Sequence, residues 1–364
     1  MPFEPKYEIT PGIAWALMRI EAAREAVRHL PITPAVLASV RETARLHTTH
    51  YSTMIEGNRL SEIEIKELIK HKGHFAGRER DEKEVLGYYA ALDQTEMLAE
   101  KHSQLRESDI KRIHALVMGG GKPKVKPTAY RDGQNVIRDS ATRSIVYMPP
   151  EAKDVGTLMT ELSQWIRAQD DLPAPLKAGI AHYQYATIHP YYDGNGRTAR
   201  LMTTLILHQS GYGLKGLYSL EEYYARNLPA YYKALSLGPS HNYYLGRASA
   251  DITPWVEYFC LGVAESFEAV KRQAASEAKK GASDASPLLR KLDARQRKAL
   301  ELFRSSELIS SRDIAQLFGL QARAARMICQ KWVEAGFIIV NDPAKKSRTY
   351  ALNQAWQSLV SYDA

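Results

Sequence analysis

The stretch that most constrains this chain is His189 to Arg200, HPYYDGNGRTAR. It packs a histidine, a proline, an aspartate, an asparagine, two glycines and two arginines into one short loop, between two segments that read as apolar helices. The preceding segment, APLKAGIAHYQYATI, must stop near His189, because Pro190 disfavours helical backbone in the residue before it. The following one, TARLMTTLILHQSG, resumes helical spacing directly after Gly-Asn-Gly. A polar, glycine-rich insertion in an apolar run is unfavourable unless its groups are put to use.

Most of the first 270 residues read as helix. ITPAVLASVRETARLHTTHYSTMIE has apolar residues at helical spacing, with Thr33 and Pro34 as cap and first turn. LSEIEIKELIKH and EKEVLGYYAALDQTEMLAEK follow, and SDIKRIHALVM opens on a Ser or Asp cap. The Gly- and Pro-rich stretch from Gly119 to Pro150 breaks the pattern. Within it, Val136-Ile137 and Ser144 to Tyr147 read as two short strands of an exposed hairpin. Helices resume at AKDVGTLMTELSQWIRAQ, and EAKKGASDASP reads as a linker. From Ser310 onward the order is short helix, turn at Gly319, longer basic helix ending at Gly336, strand, turn, strand, which is that of a winged helix-turn-helix. The expected class is mainly α, a helical bundle carrying a β-hairpin, followed by a small winged helix-turn-helix domain. The expected division is an N-terminal helical region over 1–110, a core over 111–270, a linker over 271–287 and the last domain over 288–364.

The chain of 364 residues is long enough for two or three domains. No run is apolar and long enough to span a membrane, and the first residues, MPFEPKYEITPGIAW, lack the basic and apolar regions of a signal peptide. Cys260 and Cys329 are the two cysteines, too few for a disulfide scaffold and unlike a metal site, so a reducing, cytoplasmic compartment is expected. The net charge is +8, and Pro287 to Ala364 holds 13 Lys and Arg against 7 Asp and Glu. A basic excess concentrated at one end fits either an anionic partner such as nucleic acid or a solvated surface.

The loop itself has the parts of an anion site. Gly194, Asn195 and Gly196 open a helix, so backbone N–H groups and the positive end of the dipole point at the same place. Arg197 and Arg200 lie three apart near one face, and guanidinium groups bind phosphate through paired hydrogen bonds. Positive charge opposes the dipole there, which argues that a polyanion completes the site. Asp193 is placed to hold Mg²⁺ beside phosphates, and His189 suits a general base. The spacing is not that of a P-loop.

The segment resembles the Fic family motif HPFx[DE]GNGRxxR, with Tyr191 where Phe is usual. That substitution asks for room and for a partner for the hydroxyl. The resemblance extends over roughly residues 30–270. It implies transfer of AMP from ATP to a Ser, Thr or Tyr hydroxyl of a target protein or of the chain itself, with release of pyrophosphate. By resemblance His189 takes the hydroxyl proton, Asp193 holds Mg²⁺, Gly194, Asn195, Gly196 and Arg197 cradle the α- and β-phosphates, and Arg200 grips the γ-phosphate. Thr198 and Ala199 belong to the same nucleotide-binding turn. The hairpin at Ile145, Val146, Tyr147 and Met148 resembles the family's flap, which aligns a target segment by strand addition. Asn227 and Tyr231, in YYARNLPAYYKAL, fall in the region that closes over adenosine. A homodimer is implied in the same way. Family members also transfer UMP, phosphocholine or phosphate, and the complete anion loop with its second arginine favours AMP.

Upstream, STMIEGN fits the family's inhibitory pattern [ST]xxxE[GN], and its position resembles the class with an inhibitory helix, here about 34–57. Ser52, Glu56 and Gly57 are the matching residues. Glu56 would pair with Arg200 and keep a bound triphosphate out of its in-line pose, or it would position a water for removal of AMP. At the other end, Arg323, Arg326 and Lys331, with the wing DPAKKSR, suit DNA phosphates. A protein-docking or dimerisation module is the alternative. Two classes of function stand: a regulated AMP-transferring enzyme, and a DNA-binding regulator that uses the helical body as a nucleotide sensor. His189 favours the enzyme, since sensing needs phosphate ligands but no base.

Overall fold

Helix starts follow local chemistry written in the chain. Thr10 caps α1 (Pro11–Arg28), its hydroxyl accepting from the Ile13 amide, with Pro11 in the first turn. The cap expected at Thr33, before α2 (Pro34–Ile55), lies outside the described residues. Ser61 and Glu64 form a reciprocal capping box on α3 (Glu62–His71). After α4 (Glu79–Glu100) comes α5 (Glu107–Val117), where the expected Ser or Asp cap is corrected. The cap position is Arg106, and Asp109 reaches back from the first turn to accept from its amide at 2.9 Å. The structure, a computed structural model, describes residues 3–29, 34–101, 104–122, 124–138, 143–279, 288, 291–342, 344, 348–357 and 359–360.

The hairpin consists of β1 (Ile137–Arg138) and β2 (Ile145–Tyr147), antiparallel, with Ile137 opposite Tyr147 and Arg138 opposite Ile145. Then follow α6 (Ala152–Ala168), α7 (Ala174–Ile188), α8 (Asn195–Gln209), α9 (Leu220–Arg226), α10 (Leu228–Leu235) and α11 (Thr253–Lys279). Helix α7 is apolar and buried on nearly every face, so it is the central helix. It packs along α8. Helices α4 and α5 cover α8, and α6 covers α7. The buried Trp255 of α11 donates its indole N–H to the Gly179 carbonyl of α7 at 2.7 Å.

The chain divides into two compact units, Met1–Leu30 with Val40–Ala275, and Pro31–Ser39 with Ser276–Ala364. The expected boundary at 110 is therefore absent. Helix α5 runs across that position, and α4 and α5 both pack on α8. The expected linker over 271–287 begins as helix, since α11 continues to Lys279, and residues 280–287 lie outside the described ones.

In the second unit, α12 (Ala294–Ser305), capped reciprocally by Asp293 and Gln296, is followed by β3 (Leu308–Ser310). Next come α13 (Ser311–Phe318), a left-handed Gly319, α14 (Ala322–Glu334), β4 (Ile338–Asp342), β5 (Thr349–Leu352) and α15 (Gln354–Gln357). Strand β5 lies between β3 and β4, antiparallel to both. Phe303, Ile314, Cys329, Trp332, Phe337 and Tyr350 build its core. Helices α1 and α12 and strand β3 are additions to the expected elements. Wing residues 343 and 345–347 lie outside the described ones. Among the described residues no helix is long and apolar enough to cross a membrane.

Candidate active site

Helix α7 ends at Ile188, and His189 turns the chain in a left-handed conformation at φ 50°, its amide still bonded to the Tyr185 carbonyl at 3.0 Å. For a residue with a side chain this conformation costs about 1–2 kcal/mol and needs support from its surroundings. Arg131 supplies it. This buried arginine donates Nε to the His189 carbonyl at 3.0 Å, Nη1 to the Gly133 carbonyl at 3.0 Å and Nη2 to the Pro150 carbonyl. Its amide donates to the Pro190 carbonyl at 2.9 Å. One side chain thus ties the His189 loop to both ends of the hairpin. His189 is half-buried, and burial pulls its pKa down to about 4, so it stands as a neutral imidazole at neutral pH.

Tyr191 points inward and stacks on His114, with ring centroids 3.4 Å apart and planes 5° from parallel. The partner expected for its hydroxyl is not found among the described residues. Burial pushes His114 down to about 4, so it is neutral and its Nε2–H donates to the Asp193 carbonyl at 3.0 Å. Asn195 is spent on the loop itself, accepting from the Tyr191 amide at 3.0 Å and donating to the Tyr191 carbonyl at 2.7 Å.

Helix α8 begins at Asn195, two residues before the expected start near Arg197, with Gly194 as cap at φ 76°. A side chain on Gly194 would meet the Met118 sulfur at 2.8 Å. The first helical hydrogen bond runs from the Thr198 amide to the Gly194 carbonyl at 3.0 Å, so the amides of Asn195, Gly196 and Arg197 precede the helical ladder. Thr198 closes its hydroxyl onto the same carbonyl at 2.8 Å, and Ala199 is buried, so both shape the turn from beneath. Arg197 is buried and donates to Asp193 Oδ1 at 3.0 Å. That oxygen also accepts from the Gly194 amide at 2.6 Å, while the Asp193 side chain remains 54% exposed.

Arg200 donates Nε to Ser52 Oγ, and Nη2 to both the Ser52 carbonyl and Glu56 Oε1, each at 2.8 Å. Burial alone would lower its pKa, but the Glu56 charge overrides this and raises it. Glu56 sits at the end of α2, where the Gly57 amide turns back to the Met54 carbonyl at 2.9 Å. A Cβ placed on Gly196 would lie 2.3 Å from Glu56 Oε1. The carboxylate of Glu56 therefore rests directly on the first turn of α8, where the helix dipole favours an anion.

Two sets of expected residues are placed differently. In the hairpin, Tyr147 is buried with its hydroxyl on the Thr187 carbonyl at 2.6 Å, and Met148 is already paired by main chain with His241 and Tyr243. Val146 is exposed and Ile145 is half-buried, so these two present the outer part of the strand. Asn227 is spent capping α10, accepting from the Ala230 amide at 3.2 Å. Tyr231 is a core residue whose hydroxyl bonds His182 Nε2 at 3.0 Å and whose ring stacks on Tyr224. Arg131 and His114, missed in the sequence, do their work through burial, which neither spacing nor residue type reveals.

The family described as Fic/DOC matches residues 104–207. The chain is 31% identical over 201 residues to the protein adenylyltransferase fic-1 of Caenorhabditis elegans, covering 54% of this chain and 38% of that protein. It is 30% identical over 198 residues to the protein adenylyltransferase Fic of Culex quinquefasciatus, covering 53% and 38%. The chain thus spans well under half the length of these curated relatives. In fold it is similar to a Fic family protein from Desulfovibrio desulfuricans (TM-score 0.59, 23% identity, covering 97% of this chain and 99% of that one). It is also similar to a Fic domain containing signaling protein from Bacteroides thetaiotaomicron (TM-score 0.61, 22% identity, covering 72% and 97%). His189, the anion turn and Arg200 all lie inside the segment, residues 104–207, that matches the Fic/DOC family.

Proposed function

We propose that this chain transfers AMP from ATP to a hydroxyl side chain, of a target protein or of itself, and that Glu56 holds the transfer in check. The observation that carries the reading is the Glu56 carboxylate lying on the first turn of α8 and bonded to Arg200, in the place suited to a terminal phosphate. With that place open, Arg200 takes the γ-phosphate, and Arg197 and the amides from Asn195 to Arg197 hold the phosphates nearer the adenosine. The target hydroxyl oxygen then bonds the α-phosphorus, the bond from that phosphorus to its bridging oxygen breaks, and pyrophosphate leaves. The hydroxyl proton passes to the neutral ring of His189.

Asp193 fits Mg²⁺. It is exposed beside the phosphate cradle, one of its oxygens is engaged with Gly194 and Arg197, and no cluster of three His, Cys, Asp or Glu among the described residues offers a metal site of its own. A single carboxylate together with phosphates and water is the usual environment of this ion. Bound there, Mg²⁺ would offset phosphate charge.

The test supplies α-phosphate-labelled ATP and Mg²⁺ to Glu56→Gly and to Glu56→Gly/His189→Ala. The first is expected to label protein and release pyrophosphate, and the second to do so about 100- to 10,000-fold more slowly. Equal rates from both would overturn the assignment of His189.

For the second unit the reading is nucleic-acid binding. Arg323, Arg326 and Lys331 are exposed along α14, which follows the turn at Gly319. A DNA affinity that falls steeply with salt supports this, and absence of binding at low salt removes it.

A further inference from the structure

Helix α2 ends beside Arg200, and its end is held by two other helices as well as by its own turn. The last four carbonyls of a helix have no partner inside it. In α2 they belong to Ser52, Thr53, Met54 and Ile55. Two are served locally. The Thr53 carbonyl accepts from the Glu56 amide at 3.0 Å and the Asn58 amide at 3.1 Å, and the Met54 carbonyl from the Gly57 amide at 2.9 Å. Gly57, at φ 91°, lets the chain turn back this way. The other two are served from outside. Arg200 Nη2 of α8 donates to the Ser52 carbonyl at 2.8 Å, and the Tyr232 hydroxyl of α10 donates to the Ile55 carbonyl at 3.2 Å. That carbonyl belongs to the planar peptide unit joining Ile55 to Glu56, so Tyr232 bears on the main chain from which the Glu56 side chain starts.

Helix α10 is itself fixed to the core through the neighbouring residue. The Thr203 hydroxyl donates to the Ala199 carbonyl at 2.8 Å, so toward His182 Nδ1, 3.0 Å away, it can only accept. The buried, neutral His182 ring therefore carries its proton on Nδ1, and its Nε2 accepts from the Tyr231 hydroxyl at 3.0 Å. The Tyr231 ring stacks on Tyr224 with centroids 4.5 Å apart. Tyr232, next along the helix and 47% exposed, thus reaches α2 from a fixed base. Glu56 is held at two points: Arg200 binds its carboxylate, and Tyr232 binds the peptide unit before it. The carboxylate can stay on Arg200 only while the helix end that carries it stays in place.

We propose that Tyr232 is a positioning residue for Glu56: its hydroxyl holds the end of α2 where the Glu56 carboxylate meets Arg200. The proposal rests on the reading of AMP transfer held in check by Glu56. Its test places Tyr232→Phe in the full-length chain, once with Glu56 present and once in Glu56→Gly, and follows the gain of AMP mass with ATP and Mg²⁺. With Glu56 present the rate is expected to rise about 3- to 10-fold, the scale of one hydrogen bond lost from the docked helix end. In Glu56→Gly no carboxylate is left to place, and the rate should change less than about twofold.

An unchanged rate with Glu56 present, where Glu56→Gly is active, overturns the proposal. So does an equal change in both backgrounds, which a residue serving the nucleotide or the packing of α10 would give. A second readout needs no turnover. Amide hydrogen exchange at Gly57 and Asn58, whose N–H groups close the end of α2, is expected to quicken about 3- to 10-fold in Tyr232→Phe, with exchange in α7 unaltered. Unchanged exchange at these two amides overturns the proposal, and faster exchange throughout α7 as well would show a general loss of structure instead. The underlying reading is judged apart: a Glu56→Gly chain that moves no AMP refutes transfer, and the exchange comparison still decides on Tyr232.

Discussion

Arg200 holds a full charge with 2% of its surface exposed, and a buried guanidinium has to be matched by an acid. In this chain Glu56 is the direct match, and that pairing explains why two sequence patterns 144 residues apart belong to one site. Both were legible because the chemistry fixes residue type and spacing: a base before the turn, glycines in it, arginines three apart, and a serine four residues ahead of a glutamate. Tyr191 was legible only in part. Its inward direction follows from the motif, but the hydroxyl finds no partner among the described residues, which no local pattern reveals. A buried unpaired hydroxyl costs about 1–3 kcal/mol, so Tyr191→Phe is expected to stabilise the protein by about 1 kcal/mol. Urea unfolding followed through the first unit checks this, and a lower midpoint for Tyr191→Phe would contradict it.

The loop that runs from His189 to Gly194 is an element without regular structure, and it keeps its shape because other elements hold it. Arg131 binds it to the hairpin through three carbonyls, His114 of α5 stacks beneath Tyr191, and Asn195 closes it from within. Sequence reading placed α7, α8 and the hairpin closely, since apolar period, Pro190 and the glycines act locally. It placed Tyr147, Asn227 and Tyr231 less well, because each turns on which face meets the core, and that is decided by packing between distant segments. Arg131→Lys keeps the charge but cannot donate in three directions. Displacement of reacting groups by about 1 Å can lower rate on the order of 100-fold. In the Glu56→Gly background, Arg131→Lys is therefore expected to slow transfer by about 10- to 100-fold with ATP affinity nearly unchanged. A matching fall in affinity would show that the arginine serves the phosphates instead.

At the scale of the whole chain, the two units differ in what acid does to them. His114, His189 and His208 are pushed down to about 4 and His182 to about 3, burial being the first cause in each. An unfolded histidine titrates near 6.5, so between about 6.5 and 4 the unfolded chain binds more protons and stability falls as pH falls. Each such histidine contributes about 1.4 kcal/mol per pH unit. All four lie in the first unit, and residues 31–39 and 276–364 contain no histidine. Hydrogen exchange resolved by peptide at pH 7 and pH 5 is expected to show several kcal/mol lost in the first unit and little in the second, whereas equal losses would contradict this origin. The basic surface of the second unit was legible as charge, and α11 runs on to Lys279, into the stretch that composition marks as linker. The central claim, that Glu56 holds an otherwise complete transfer site in check, is tested most directly by the intact mass of the full chain after incubation with ATP and Mg²⁺. Glu56→Gly is expected to gain the mass of AMP faster than wild type, and Glu56→Gly/His189→Ala to gain it at least about 100-fold more slowly than Glu56→Gly. Wild type that gains AMP as fast as Glu56→Gly would contradict it.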